Sequence, residues 1–302
     1  MNDDDLPEGR KTPDLLPEEL LAEDLTVSLL RRDVRKATEA LAALGAEAYP
    51  QVRFLVFLYY QHQEHRMRAR SQEGKLAERG APHLLISWTA ERDERTEKSI
   101  RSVLDHYSRV EPSGMGAWAR SQVGIGPVIA AGLLANIPIE KTPTVSALWR
   151  FAGLDPTSKW KKGDKRPFNA QLKVLAWKIG GSFAMFHKKD GCFYGKLYEQ
   201  RKAYEAERNE RGEYSDEARR IVERSGYAKG TGAYETLLTG KLPPVHLEKR
   251  ARRYAAKMFL SHWWAEFRRR RGLSHEDPWI IAHGGHSHLI EAPKIAAAGD
   301  SR

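Results

Sequence analysis

The residues of this chain that could do chemistry fall in three places. The first is a histidine cluster near the C-terminus, His283, His286 and His288, set around Gly284 and Gly285. Imidazoles this close can converge on a divalent cation, Zn²⁺ or Mg²⁺, with Glu276 or Asp277 near enough in sequence to complete the set. A metal-bound water is a competent nucleophile for phosphodiester cleavage, which makes a metal-dependent nuclease one reading of this chain. The H-x-x-H-x-H spacing is not one of the helical zinc signatures. Phosphate binding by the same imidazoles, or no special role, therefore stands beside the metal.

The second place is Gly124-Ile125-Gly126-Pro127, between AWARSQV and an alanine-rich apolar run ending at Ile137. Proline suits the first turn of a helix, because its fixed φ fits and its missing N–H is not needed there. The layout predicts two helices joined by a tight hairpin, a helix-hairpin-helix element. Backbone N–H groups at the second helix's N-terminus, helped by its dipole, would face a phosphate. Such contacts position a protein on DNA without reading its sequence. The competing reading is an ordinary turn in a core of small residues.

The third place is basic. Lys159, Lys161, Lys162, Lys165 and Arg166 crowd around a single Asp164, with Trp160 and Phe168 interleaved. Cations neutralise phosphates, and an exposed ring stacks on an unpaired base. Further on, the segment from His246 to Arg271 carries nine bases against Glu248 and Glu266. Its Arg250, Arg253 and Lys257 recur at helical spacing and share a side. A solvated charged face is the plainer reading of either patch alone.

These residues need elements to hold them. Val27, Leu30, Val34, Leu41 and Leu44 recur at helical spacing, and Phe54–Arg70 and Thr89–Val110 read as two further helices. No stretch alternates apolar and polar residues in the manner of a strand. The expected fold is all-α: a helical bundle with a helix-hairpin-helix DNA-binding element. The expected organisation is an acidic, disordered arm over 1–24, a helical domain over 25–113, a hairpin domain over 114–204, a flexible Gly-rich insertion over 205–245, and a basic helix with a His-rich end over 246–302. Leu247, Ala251, Tyr254, Met258 and Phe259 are the expected core face of that last helix.

Composition narrows the partners. The chain has 302 residues and a formal net charge of +10. Residues 1–24 oppose this with nine acidic and two basic side chains, so the remainder is more basic still. That balance favours a polyanion. Cys192 is the only cysteine, which excludes an intrachain disulfide and a cysteine zinc site and fits a reducing cytoplasm. The longest charge-free apolar run, Pro127–Ile139, is well short of the ~20 residues a membrane helix needs, and the acidic opening lacks the form of a secretory leader. A soluble, cytoplasmic, nucleoid-associated protein with no membrane partner is expected.

One resemblance joins these features. GIGPVIAAGLLANI, then VSALWRFAGLDP (Val145–Pro156), a basic loop, and NAQLKVLAWKIGGSF (Asn169–Phe183) follow one another. This order resembles the C-terminal domain of the IS-one-ten/IS-one-sixteen insertion-sequence transposases, the bridge-RNA-type recombinases. AGLDP after the hairpin is its most specific part, and YGKLYEQRK and RARRYAAKMFLSHWW are weaker matches to later helices of the family. The resemblance implies DNA as partner, structured RNA and further copies of the chain as additional ones, and a role in transposition or recombination. It also implies a nucleophilic serine shortly after the GLxP segment. The serine here, Ser158, lies closer to Pro156 than the family pattern, and Trp160–Gly163 stand where a serine-glycine pair would fall. The family's N-terminal RuvC-like domain, with its four acidic ligands, has no counterpart in the helical 1–113. The expectation is a transposase-like DNA-binding protein without the family's full catalytic apparatus. The alternatives are the nuclease and a non-catalytic helical adaptor.

Overall fold

The computed structural model describes residues 34–158, 160–224, 227–275 and 290–293. The acidic arm, Lys159 and the cluster of His283, His286 and His288 lie outside the described residues. Eleven α-helices and two short 3₁₀ turns make up the regular structure, with no strand among the described residues. The chain is all-α, as its periodicities require.

Helix α1 (Val34–Ala43) leads into two long helices, α2 (Tyr49–Ala77) and α3 (Leu84–Val110). These pack against each other over a length of about 40 Å at 1.5 Å per residue. Facing charges tie them: Arg66 grips Glu97 at 2.6 Å, and His62 meets Asp93 at 2.7 Å. Helix α4 (Met115–Ser121), a turn at 122–126 and helix α5 (Pro127–Asn136) follow. Every residue of α5 except Ile129 is buried. PVIAAGLLAN carries no charge and several small side chains, so neighbours close on it from all sides. It packs against α2, α3 and α4 on one flank and α7 (Ala170–Phe186) on the other.

Helix α6 (Val145–Phe151) precedes the basic loop, and α8 (Phe193–Glu210) follows α7. Helix α11 (Pro244–Arg270) packs against α7 and α8 and closes the core. Leu247, Ala251 and Phe259 are buried on it as its spacing requires, while Tyr254 and Met258 are only partly so. The burial extends to Trp263 and Trp264, both essentially inaccessible. Trp264 donates its indole N–H to Thr142 O at 2.7 Å.

Residues 205–245, expected above as a flexible insertion, instead carry α9 (Ser215–Arg224) and α10 (Gly232–Leu238). Tyr214, Ala218, Leu237, Leu242 and Leu247 form a second, smaller core there. The buried Asn209 amide fastens the segment, accepting from Leu242 N–H and donating to Leu242 O. Gly212, Gly232 and Gly240 sit at helix ends rather than in a loose loop. No described helix is long and apolar enough to cross a membrane.

The described end of the chain docks through His262. Only its Nε2 can donate to Ile290 O (2.7 Å), so Nδ1 is the acceptor for the Tyr194 hydroxyl (2.9 Å). Burial holds this imidazole below its ordinary value. An unfolded imidazole protonates near pH 6.5, so below about that pH the unfolded chain binds more protons and stability falls with acid. The denaturation midpoint should drop between about pH 6.5 and 5, and His262→Gln should flatten that drop. An unchanged pH slope in the variant would clear His262 of the effect.

Candidate nucleic-acid interface

The GLDP segment is, locally, a helix stop. Gly153 takes a positive φ of 65°, which glycine adopts without a Cβ penalty. Its N–H bonds to Arg150 O, and Leu154 N–H reaches back to Trp149 O, the paired bonds of a Schellman end. Leu154 is buried beneath them. Asp155 then accepts from both the N–H and the hydroxyl of Thr157, at 2.9 and 2.7 Å. Those bonds and Arg150 hold its carboxyl below the usual carboxylate range. The turn delivers Ser158 to the rim of a cavity of about 520 Å³, within the range of small-ligand sites.

Three elements line this cavity. The turn supplies Gly153–Pro156 and Ser158, α7 supplies Lys173, Ala176, Trp177 and Gly180, and α11 supplies Lys249, Arg252 and Arg253. The α7 and α11 backbones come close here, since a Cβ on Gly180 would stand 2.6 Å from Arg252 O. Four cations thus face one space. Arg252 gives Nη2 to Glu248, but its Nε is buried with no acceptor. Lys173 sits over the Phe168 ring at 4.1 Å. Lys249 and Arg253 are exposed and make no ion pair among the described residues. Trp177 is 63% exposed, a large ring left open beside these charges.

Of the three basic residues expected to share a side of the last helix, only Arg253 faces this cavity. Arg250 binds Glu217 and stacks over Tyr214 at 4.6 Å. Lys257 lies 4.0 Å over Trp149, and burial lowers its pKa. The run Arg268–Arg271 is also committed within the protein. Arg268 is buried against backbone carbonyls, Arg269 and Arg270 pair with Glu266, and Arg271 pairs with Glu140. Lys173, Trp177, Lys249 and Arg252 were not singled out in the sequence. Their signal there was an i, i+4 Lys–Trp pair on α7 and an i, i+3, i+4 cation triplet on α11.

The described cations of the basic loop do not line the cavity. Lys161, Lys162, Lys165 and Arg166 are all exposed. Trp160 donates its indole N–H to Asp164 O, and Arg166 stacks on its ring at 5.4 Å. This leaves the ring partly covered by the loop itself. Ser158 Oγ has neither a histidine nor a carboxylate within hydrogen-bond reach among the described residues. No group of three His, Cys, Asp or Glu there could hold a metal.

The hairpin turn occupies the other side of α7. Gly124 has φ +101°, and Ser182 Oγ donates to its carbonyl. Gly126 is extended and caps α5, where Pro127 takes the first position. The first-turn N–H groups of Val128 and Ile129 have no helical partner. They border a cleft of about 560 Å³ that also holds Tyr59, Tyr60 and Arg101. On α7, Lys173 and Trp177 face the cationic cavity, whereas Ser182, Met185 and Phe186 face this cleft. The two features are therefore separate surfaces. No known family model, curated protein or solved structure matches the chain.

Proposed function

We propose that this chain is a DNA-binding protein of transposase-like type, acting in DNA transposition or recombination and associated with the nucleoid. The observation that carries the reading is the cavity where Lys173, Lys249, Arg252 and Arg253 converge with too few acids to neutralise them. The exposed cations of the 160–166 loop add to the positive surface. Phosphates satisfy such a surface better than an acidic peptide, because each brings a full charge at a regular spacing. The N-terminus of α5 offers a second backbone contact.

The test is a salt titration of the full chain on labelled duplex DNA, single-stranded DNA and structured RNA. If about five phosphates are contacted, affinity for DNA falls several-hundred-fold between 50 and 200 mM salt. Binding to none of the three ends this reading and leaves the helical adaptor. A strand-transfer assay on any DNA bound tests the role in recombination.

Gly126→Ala is a clean probe of the hairpin. A Cβ there meets nothing within 4 Å in the protein, and its φ of −89° is open to any residue. The variant should fold normally and lose about 3- to 10-fold in duplex affinity, the scale of one neutral hydrogen bond. Unchanged affinity would make the hairpin an ordinary turn.

A further inference from the structure

We infer that the cavity between α7 and α11 takes a single unpaired DNA nucleotide, its base stacked on Trp177 and its phosphate held by Arg252, Arg253 and Lys249. This deepens the DNA-binding reading and rests on it. Three observations point the same way. Lys249 and Arg253 open on the cavity and have no ion-pair partner among the described residues, and Arg252 lines it beside them with Nη2 on Glu248. Cations gathered around one recess can hold a phosphate, and an extruded nucleotide can carry its phosphate inward.

The second observation is Trp177. Its ring is 63% exposed at the rim of the same cavity. Stacking on a base plane covers it, and a paired base cannot offer that face. The third is the lining, in which Leu154, Ala176 and Gly180 add apolar surface beside the cations. The base's contact in this proposal is the stack on Trp177, and aromatic stacking platforms accept all four bases.

The experiment measures fluorescence anisotropy of the full chain with a labelled duplex and with the same duplex carrying a single-nucleotide bulge. Base–aromatic stacking corresponds to about 5- to 150-fold in affinity, so the bulged duplex should bind tighter by a factor in that range, whichever base is bulged. Trp177→Ala should abolish the difference, and Trp177→Phe should retain most of it. Being on the surface, Trp177 can be replaced without unfolding the core. Equal binding of the two probes, or a preference that survives Trp177→Ala, overturns the nucleotide site while leaving DNA binding intact. A bulged RNA hairpin that outcompetes the bulged DNA overturns the choice of DNA. Binding to no probe overturns the site and the DNA reading together.

Discussion

Replacing Lys249 and Arg253 together by glutamine should weaken DNA binding about a hundred-fold or more. Both side chains are exposed, neither has an ion-pair partner in the described protein, and both open on the cavity beside Arg252. Each is therefore available to a phosphate, and a charge-assisted hydrogen bond contributes about 1.5–3 kcal/mol. The salt dependence should change with the affinity. Each duplex phosphate contact contributes about 0.9 to the slope of log K against log salt, so losing two should lower it by nearly 2. The informative control removes the same net charge elsewhere. Arg269→Gln with Arg270→Gln takes away two cations that Glu266 already engages at 2.8 and 2.6 Å. Less than about a three-fold loss is expected from that pair, through weakened long-range attraction alone. Equal losses from the two double variants would mean that affinity follows total charge and that the cavity is not the site.

The largest effect on stability is expected from Arg268→Met, which should destabilise the fold by about 1.5–3 kcal/mol. Arg268 is 5% exposed, yet its charge is paired with no carboxylate among the described residues. Backbone carbonyls stand in for one. Its Nε donates to Ser274 O at 2.6 Å, and its Nη1 donates to Ile139 O at 3.0 Å and Thr142 O at 3.3 Å. The guanidinium also lies 5.4 Å from the Trp264 ring. Methionine keeps much of the aliphatic stem but donates to none of these acceptors. Thr142 O retains the Trp264 indole and Ile139 O retains the Thr142 hydroxyl, so the loss falls on the charge-assisted bonds themselves and on Ser274 O. For a folded unit of this size, the change corresponds to a fall in Tm of roughly 5 °C. Arg269→Ala, which breaks only a surface pair, should leave the midpoint almost unchanged. Thermal unfolding of the two variants decides the matter, and an unchanged Tm in Arg268→Met would show those carbonyls to be satisfied without it.

Much of the fold was legible beforehand because it rests on local rules. Apolar spacing and the absence of alternating runs require helices, and Pro127 opens one of them where proline is tolerated. Pro244, assigned from the sequence to the 205–245 insertion, opens another. The segment 205–245 misled through composition. Its glycines and polar residues suggest a loop, but the few apolar ones, Tyr214, Ala218, Leu237 and Leu242, meet only after the chain folds back on itself. The candidate site was read in part. Ser158 and Arg253 were named and are brought together, whereas Arg250 and Lys257, on the same helix side, are taken by Glu217 and Trp149.

That division has one physical cause. Periodicity, capping and turn chemistry act within a few residues, so an all-α chain, its helix ends and its surplus of positive charge follow from the order of residues alone. Which cations are free depends on what folds against them from far along the chain. Arg268, Arg269, Arg270 and Arg271 are indistinguishable as four letters in a row. Packing buries the first against carbonyls more than a hundred residues away and pairs the other three with Glu266 and Glu140. It leaves Lys249 and Arg253 open beside Trp177, a ring contributed by a helix some seventy residues earlier, and those long-range neighbours define the site.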